Sequence, residues 1–370
     1  MNVMDRRLRD LLDAAAGEPP HRVSVEALRR RVIRRRVMEG IAGAAAVAVI
    51  AVAVPAVTGT LGRGSAAPQT GIAQTRGPVV YVVNGPASTV TPIPVATNRP
   101  GQPIKVAADG LNAIALEGRT LYVASSQSGT VTPISTATNT AGQPIPVGAF
   151  PNAMAITPDG KTLYVADLTS GTVTPVSTAT NTAGRPIKVG NRPRGIVIMP
   201  DGKTAYVMNQ GSSTVTPIAT ATNTAGKPIE VGDGPLAIAI TPDGRTVYTV
   251  NPGTGHGGNV TPIDTATNTP GRPIPVGAFP IAIAITPDGN TAYVVNSNSD
   301  TVTPIATATN TPGKPIKVGA QPLAVAITPD GKTAYVVSFG SGTVTPIATA
   351  TNTAGEPLHI GRGFTIVITP

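Results

Sequence analysis

Residues 328–352 read TPDGKTAYVVSFGSGTVTPIATATN, and most of the chain after residue 75 consists of copies of this unit. All seven tyrosines of the protein occupy one position of the unit: Tyr81, Tyr122, Tyr164, Tyr206, Tyr248, Tyr293 and Tyr335. Their successive spacings are 41, 42, 42, 42, 45 and 42 residues. A period near 42 residues, made of short apolar runs and turn residues, is typical of a propeller with four strands per blade. The sequence therefore predicts an all-β, seven-bladed β-propeller over residues 76–370.

One unit divides into four short strands. An inner strand at 236–240 (LAIAI) is followed by a Thr-Pro-Asp-Gly turn, the second strand carries Tyr248, and the third and fourth strands fall near 259–263 and 272–276. The inner strand alternates Leu or Ile with Ala, so both of its faces are apolar, which predicts burial between neighbouring blades. Proline near the start of every fourth strand predicts an outer edge. A proline in every third strand predicts a bulge or an unpaired amide there.

The two ends of the repeat region complement each other. The first unit starts near Val79 without an inner strand of its own, and the chain ends in FTIVITP, an inner-strand pattern with no unit after it. We therefore expect Phe364–Pro370 to dock into the first blade and close the ring of antiparallel sheets.

The N-terminal segment predicts membrane anchoring. Residues 41–62 contain no charged side chain and follow an arginine-rich, helical segment at 1–40. A helix of this length spans roughly 30 Å of hydrocarbon, and the preceding arginines favour a cytoplasmic N-terminus. The sequence predicts a signal-anchor helix, a flexible linker at 63–75 and a propeller outside the cell. The alternative is a removed signal peptide and a secreted protein.

Charge and composition exclude some classes of function. The chain has a formal net charge of +9, but from Gly64 onward it has only 17 basic and 13 acidic residues, and aromatic residues make up 3% of the chain. A basic stripe with interleaved aromatics is absent from this pattern, so no nucleic-acid partner is expected. The chain has no cysteine, which excludes disulfides and thiolate chemistry. No cofactor, no metal site and no catalytic residue are predicted, and a monomeric propeller is expected.

The repeats resemble a known family. Tyr-Val-Val-Asn at 81–84 and 293–296, Tyr-Val-Ala-Asp at 164–167 and the Thr-Pro-Asp-Gly turns are similar to YVTN β-propeller repeats, and the similarity spans all seven units. The resemblance implies a propeller and a surface or secreted location. Departures are local, because residues 115–118 read ALEG and Met199 replaces a turn threonine. A shared fold does not transfer a function.

The loops predict a binding face. Turns after strands one and three repeat almost unchanged, whereas the turns after strand two and the connections between blades vary. We call this second side the variable face. Aromatic and charged side chains there are the binding candidates: Phe150, Asp167, Arg192, Arg194, Asp233, His256, Phe279, Gln321, Phe339 and Arg362. The alternative is that these loops vary because nothing constrains them and that phenylalanine fills gaps beneath them.

These patterns favour a non-catalytic binding scaffold at the cell surface, with an unknown surface protein or glycan as its partner. The alternative function is that of a propeller enzyme, a lactonase-like hydrolase or a redox enzyme, since propellers with similar repeats include both. The aspartates of the Pro-Asp-Gly turns recur from unit to unit, which makes them turn residues rather than catalytic carboxylates. The glycine-rich stretch 252–259, which contains His256, lies between two strands and is expected to be a flexible loop.

Overall fold

The computed structural model describes residues 49–52, 79–84, 87–94, 97, 99–106, 110–253 and 257–360. These residues belong to one compact unit, Ala45–Pro370. They form seven antiparallel sheets and no helix. The segment 1–40, the linker 63–75, His256 and the terminal strand 364–370 lie outside the described residues.

The sheets follow one another along the chain. Sheet 1 contains β1 (Val49–Val52), β2 (Val79–Asn84), β3 (Thr89–Pro94) and β4 (Ile104–Lys105). Sheet 2 contains β5 (Leu111–Glu117), β6 (Thr120–Ser125), β7 (Thr130–Ser135), β8 (Thr140–Ala141) and β9 (Ile145–Pro146). Sheet 3 contains β10 (Pro151–Ile156), β11 (Thr162–Asp167), β12 (Thr172–Ser177), β13 (Thr182–Ala183) and β14 (Ile187–Lys188). Sheet 4 contains β15 (Pro193–Ile198), β16 (Thr204–Asn209), β17 (Thr214–Ala219), β18 (Thr224–Ala225) and β19 (Ile229–Glu230).

The last three sheets repeat this order. Sheet 5 contains β20 (Ala237–Ile240), β21 (Thr246–Asn251), β22 (Gly258–Asp264), β23 (Thr269–Pro270) and β24 (Ile274–Val276). Sheet 6 contains β25 (Pro280–Ile285), β26 (Thr291–Asn296), β27 (Thr301–Ala306), β28 (Thr311–Pro312) and β29 (Ile316–Lys317). Sheet 7 contains β30 (Pro322–Ile327), β31 (Thr333–Ser338), β32 (Thr343–Ala348), β33 (Thr353–Ala354) and β34 (Leu358–His359). The extra residues of the 45-residue spacing lie between β21 and β22.

The hydrophobic core lies between successive sheets. Inner strands β5, β10, β15, β20, β25 and β30 each contact the next one. Between sheets 2 and 3, Tyr122 and Val131 pack against Leu163 and Val165, and all four are at most 1% exposed. Equivalent clusters fill six interfaces, from sheets 1 and 2 to sheets 6 and 7. The strand that is fully buried on both faces is the second one in sheets 2 to 6. Inner-strand residues such as Ala155 and Ile285 pack at these interfaces but are only half-buried, so the inner-strand prediction is met only in part.

Hydrogen bonds join each of the first six sheets to its successor through the repeated tyrosine. Tyr164 donates from its hydroxyl to Asn223 Oδ1 at 2.6 Å, in the turn between the third and fourth strands of the next sheet. Asn223 has a φ of 53°, a left-handed conformation that asparagine tolerates. The same bond recurs at 2.6–3.2 Å in five more pairs: Tyr81–Asn139, Tyr122–Asn181, Tyr206–Asn268, Tyr248–Asn310 and Tyr293–Asn352.

Tyr164→Phe is expected to lower the free energy of unfolding by about 1 kcal/mol, because it removes one partly buried hydrogen bond and leaves the packing of the ring unchanged. Urea unfolding of the two proteins measures the difference. Asn223→Gly supplies the control background, because glycine keeps the left-handed backbone and removes the acceptor, so that Tyr164→Phe should cost less there. A Tyr164→Phe protein as stable as wild type would contradict a stabilising role of these bonds.

The third-strand prolines are accommodated without a bulge. Pro133 is directly opposite Tyr122, and the register between β6 and β7 is unbroken. Its carbonyl accepts the Gly142 N–H at 2.7 Å, so its missing N–H also faces the outer edge. At that edge the predicted fourth strand is split into β8 and β9. The interruption at Gly142–Pro144 lies where Pro133 has no donor to offer, so of the two alternatives the unpaired amide is correct.

The inner edge of sheet 1 differs from its prediction. β1 pairs antiparallel with β2, with Ile50 opposite Tyr81. Residues 49–52 are therefore extended where the sequence predicts a helix over 41–62, and they pair with the edge assigned to Phe364–Pro370. The rest of the 41–62 segment and the terminal strand lie outside the described residues, so closure by the C-terminus stays a prediction.

Sheets 1 and 7 each expose half of a further interface. Leu358 of β34 is 56% exposed, whereas the equivalent isoleucines of the first six sheets are at most 8% exposed. In sheet 1, Val82 and Ile93 are half-buried, whereas their counterparts Val165 and Val176 in sheet 3 are fully buried. The two half-covered faces carry the complementary residue types of the other six interfaces.

Candidate functional site: the variable face

The variable face begins where the inner strands begin. In sheets 2, 3, 4, 6 and 7 the register between the first and second strands shifts by one residue directly after the first residue of the inner strand. In sheet 4 the shift falls between Pro193 and Gly195, so Arg194 is the extra residue. The equivalent residue in sheet 3 is Asn152. Bulges of this kind redirect a side chain at the end of a strand.

In sheets 2, 3, 4, 6 and 7 the residue just before the inner strand has a left-handed backbone, and so has the equivalent Gly234 of sheet 5. Glycine occupies this position in sheets 2 and 5, where it adopts the conformation freely. Larger residues occupy it in the other described sheets, with φ values of 61° at Phe150, 52° at Arg192, 53° at Phe279 and 51° at Gln321. Such a conformation is uncommon for bulky residues and persists where surrounding contacts enforce it.

Paired hydrogen bonds between loops enforce this conformation. The Arg192 carbonyl accepts the Gln210 N–H at 3.0 Å, and the Asn191 carbonyl accepts the Gly211 N–H at 2.9 Å. The same pair of bonds joins Phe150, Phe279 and Gln321, with the residues preceding them, to the turns after β11, β26 and β31. Each connection between sheets is thus bonded to the turn after strand two, which makes this face a layer of linked loops.

An open cleft of about 450 Å³ lies between two of these loops. It is lined by Leu168, Thr169, Ser170, Gly171, Asn191 and Arg192. The Ser170 hydroxyl accepts the Ala149 N–H at 3.1 Å, which fixes one wall. Its lining of hydroxyl, amide and guanidinium groups is suited to a polar ligand.

Arg194 follows the cleft-lining Arg192 by two residues and is half-buried, and its guanidinium donates to Gln210 Oε1 at 3.3 Å. Burial and the neighbouring charge of Arg192 lower the pKa of Arg194. The Asn152 amide donates to the Arg194 carbonyl at 3.4 Å, which ties sheet 3 to sheet 4 at this point. Among the described residues, neither Arg192 nor Arg194 forms an ion pair with a carboxylate.

Asp167 is fully buried, so it is not presented on the surface of the variable face. It ends β11 and accepts hydrogen bonds from Thr174 Oγ1 at 2.7 Å and Thr172 Oγ1 at 3.3 Å. Burial raises its pKa to about 6. The equivalent residues are asparagine in sheets 1, 4, 5 and 6 and serine in sheets 2 and 7. Asp167 is therefore an internal charge at a place where other sheets have a neutral side chain.

The remaining predicted binding residues differ in their exposure. Asp233 and Arg192 are exposed, and Phe150, Gln321 and Phe339 are half-buried. Phe279 is 9% exposed, so it offers little surface to a partner. His256 and Arg362 lie outside the described residues. Of the two neighbouring arginines, Arg192 lines the cleft, and its charge acts on Arg194.

The repeated turn aspartates are held by their own turns. Asp159 accepts a hydrogen bond from Thr157 Oγ1 at 2.6 Å and another from the Lys161 N–H at 3.1 Å. These bonds lower the pKa of Asp159. Asp243, Asp288 and Asp330 have the same contacts. Across the described part of the chain, no three His, Asp or Glu side chains come together as a metal site would require.

Comparison with known proteins identifies the fold. No family model matches the chain, and no curated protein matches it. Among solved structures, Kuenenia stuttgartiensis hydrazine synthase is similar over 74% of this chain and 92% of its own, with a TM-score of 0.61 and 24% identity. Dihydro-heme d1 dehydrogenase NirN in complex with DHE is similar over 76% of this chain and 63% of its own, with a TM-score of 0.64 and 17% identity.

A protein of unknown function from Desulfotomaculum acetoxidans is similar over 77% of this chain and 97% of its own, with a TM-score of 0.59 and 16% identity. The first two structures contain β-propellers, and the repeated antiparallel sheets agree with that fold. At these identities the similarity shows the fold alone. The chain is therefore a β-propeller protein.

Proposed function

We propose that this chain is a non-catalytic binding scaffold, anchored in the cell membrane and facing outward, and that it binds a surface partner through the variable face. The YVTN resemblance belongs to the same proposal, because such repeats imply a surface location. The observation that carries the proposal is the set of bulky residues held in left-handed conformations at equivalent positions.

Four large side chains, Phe150, Arg192, Phe279 and Gln321, occupy a position that glycine could fill without strain. Each is held by two backbone hydrogen bonds between loops. A face built in this way loses little conformational entropy on binding, because its loops are ordered beforehand. The left-handed residue in the turns after strand three is asparagine in all six described copies, whereas this position of the variable face is phenylalanine, arginine, glutamine or glycine. Such variation at one position supports recognition rather than simple stacking of repeats.

The proposal of a membrane anchor is supported by the uncharged stretch at 41–62 and by the arginines before it. In the described residues no helix has the length and apolarity needed to cross a bilayer. Protease treatment of intact cells tests the topology directly. We expect the propeller to be cleaved, or at least released, from outside, and protection that is lost only on lysis would overturn the outward orientation.

No specific observation favours the enzyme alternative. The similar structures include hydrazine synthase and a heme dehydrogenase, but at low identity they transfer no site to this chain. The buried, raised-pKa carboxylate of Asp167 lies inside sheet 3 rather than in a cleft. The described part of the chain therefore offers no candidate catalytic residue.

Photocrosslinking from the two faces tests the binding proposal. A photoreactive amino acid at Phe150, Arg192 or Gln321 is expected to give a discrete crosslinked product on intact cells. The same group at Lys161, Lys203 or Lys332, exposed on the opposite face, is expected to give none. The products are compared by gel mobility and mass spectrometry.

The lysine positions are the control, because they are at least as exposed to solvent as the positions on the variable face, so a lack of product from them cannot be due to poor access. Products that form equally from both faces would indicate contact without a specific face. Products from Lys161, Lys203 and Lys332 alone would place the partner on the opposite face and overturn the proposal.

A further inference from the structure

We propose that Arg192, Arg194 and Gln210 form a binding site for an oxyanion, so that the group recognised on the partner is a carboxylate, phosphate or sulfate. This inference deepens the proposed function and rests on the variable face being the binding face. It commits to one place, the junction of sheets 3 and 4 beside the cleft.

The two arginines are fixed on either side of one turn. Arg194 donates to Gln210 Oε1 at 3.3 Å. Arg192 lies over the next residue of that turn, since a Cβ on Gly211 would come within 3.1 Å of Arg192 Cγ and 3.2 Å of Arg192 Cδ. Backbone bonds from Gln210 and Gly211 to the Arg192 connection hold the arrangement. The Arg194 guanidinium is thus held by a neutral contact, and Arg192 lies against the same turn, near enough for its charge to lower the pKa of Arg194.

No carboxylate among the described residues forms an ion pair with either arginine. All four ion pairs among the described residues lie in the Pro-Asp-Gly turns, as in Lys161 with Asp159 at 3.4 Å. Arg194 is half-buried, and burial together with Arg192 lowers its pKa, which means that its charged form is disfavoured where it stands. An oxyanion between two such groups would relieve both the desolvation and the repulsion, because guanidinium binds oxyanions through paired, charge-assisted hydrogen bonds.

The arrangement occurs once among the described repeats. The residue equivalent to Arg194 is Asn152 in sheet 3, Leu236 in sheet 5, Ile281 in sheet 6 and Leu323 in sheet 7. Glycine replaces Arg192 in sheets 2 and 5. A charged pair that packing of the repeat does not require, placed in a strained backbone, indicates a role outside the architecture.

The cleft supplies the remaining recognition groups. Arg192 and Asn191 form one of its walls, and Thr169 and Ser170 form another. Thr169 and Ser170 are exposed. A cavity of about 450 Å³ has room for the atoms that carry the oxyanion as well as for the oxyanion itself. An oxyanion bound by the arginines would therefore direct the rest of the ligand along a polar groove.

Calorimetric titration of the full-length protein with sodium phosphate, sodium sulfate and citrate, at constant ionic strength maintained with sodium chloride, tests the site. Wild type is expected to give saturable binding to at least one probe. The double variant Arg192→Gln, Arg194→Asn is expected to bind about tenfold more weakly or not at all. Both substitutions copy residues found at the same places in sheets 7 and 3, so the fold should tolerate them.

The control variant is Arg272→Gln, Lys314→Gln, which removes the same charge from exposed positions in sheets 5 and 6. It is expected to bind as wild type does. Equal weakening in both double variants would show a general charge effect and would overturn the site. Absence of saturable binding to all three probes would overturn it as well. Binding of citrate without phosphate or sulfate would identify a carboxylate ligand, and the reverse would identify a phosphate or sulfate.

Arg194→Leu gives a second readout. Leucine occupies this place in sheets 5 and 7, so the variant is expected to melt at a higher temperature than wild type without anion and to lose the anion-induced rise in melting temperature. A rise that persists in this variant would contradict the role of Arg194. If the wild type binds the anion while crosslinks from the variable face fail to form, the proposed function is wrong and the anion site stands.

Discussion

Asp167→Asn is expected to stabilise the protein by roughly 3 kcal/mol at pH 7 and above, with little effect below about pH 4. Asp167 is fully buried, and burial raises its pKa from 3.8 to about 6. The folded protein therefore holds a proton on this side chain, between these two values, that the unfolded chain has released. The free energy of unfolding of wild type falls as the pH rises from about 4 to about 6 and then levels off. Asparagine does not ionise, so the variant does not undergo this fall in the free energy of unfolding.

The neighbouring sheets show why asparagine should fit. In sheet 4, Asn209 Nδ2 donates to Thr214 Oγ1 at 3.1 Å and to Thr216 Oγ1 at 2.9 Å. The threonines facing Asp167 have the same spacing and donate to its carboxylate instead. Rotation of two hydroxyl groups converts one arrangement into the other, so no buried donor is left unpaired by the substitution.

Urea unfolding of the variants at pH 4, 5, 6, 7 and 8 measures this effect. Asn209→Asp is the matched reverse substitution, and it is expected to destabilise the protein above about pH 6 and to have little effect near pH 4. A constant difference between wild type and Asp167→Asn across the whole pH range would show that the carboxylate ionises normally in the folded protein, and it would contradict the assignment.

Val367→Asp is expected to lower the free energy of unfolding by more than about 3 kcal/mol, and Ile50→Asp by much less. The strands that contain these two residues compete for the inner edge of β2. The inner edge of β2 can pair with a single strand, because its other edge is already paired with β3. Ile50 is opposite Tyr81 in the structure, and Val367 would be opposite Tyr81 if the terminal strand followed the register of the other sheets.

The packing of the other six sheets favours the terminal strand. The residue opposite the repeated tyrosine is alanine in five of these sheets and valine in sheet 4. Valine fits this series of small side chains better than isoleucine does. The terminal strand also ends in the Ile-Thr-Pro that follows the inner strands of sheets 3, 5, 6 and 7, and it would supply the missing strand at the junction of sheets 7 and 1.

Thermal unfolding of both full-length variants in detergent decides between the strands. Tyr335→Phe in the same series reports whether a partner for that hydroxyl is present once the ring is closed. A large loss in Ile50→Asp with none in Val367→Asp would establish β1 as the native inner strand. Residues 49–52 could not then belong to a membrane helix, and the anchor proposal would fail with the closure.

Much of the fold could be predicted from the tyrosine period, because a stack of identical units repeats its turns, its apolar runs and its edge prolines at one spacing. The prediction was least precise where the type of a residue does not reveal whether its side chain points into the core or towards the surface. Asp167 has the polarity of a loop residue, but it points inward under Gly148, where a Cβ would come within 2.5 Å of the carboxylate. Alternation of polar and apolar residues ends at that position and gives no signal of burial.

The candidate site could be predicted only in part for a similar reason. Departures from the repeat identified Arg192 and Arg194, because an identical unit has no structural need for them. The role of Gln210, Gly211 and Asn152 depends on contacts between loops that are far apart in the chain. Backbone conformation at Phe150, Phe279 and Gln321 was also invisible, since no glycine marks those positions.

The extra residues between β21 and β22 leave the contacts between sheets unchanged. The Tyr206–Asn268 and Tyr248–Asn310 bonds, which span the insertion in sequence, measure 2.8 and 2.6 Å, within the range of the others. The length of this loop on the variable face thus does not affect the tyrosine–asparagine hydrogen bonds that join neighbouring sheets. New sequence can be grafted at this turn, by evolution or by design, and the architecture will tolerate it as it tolerates the native insertion.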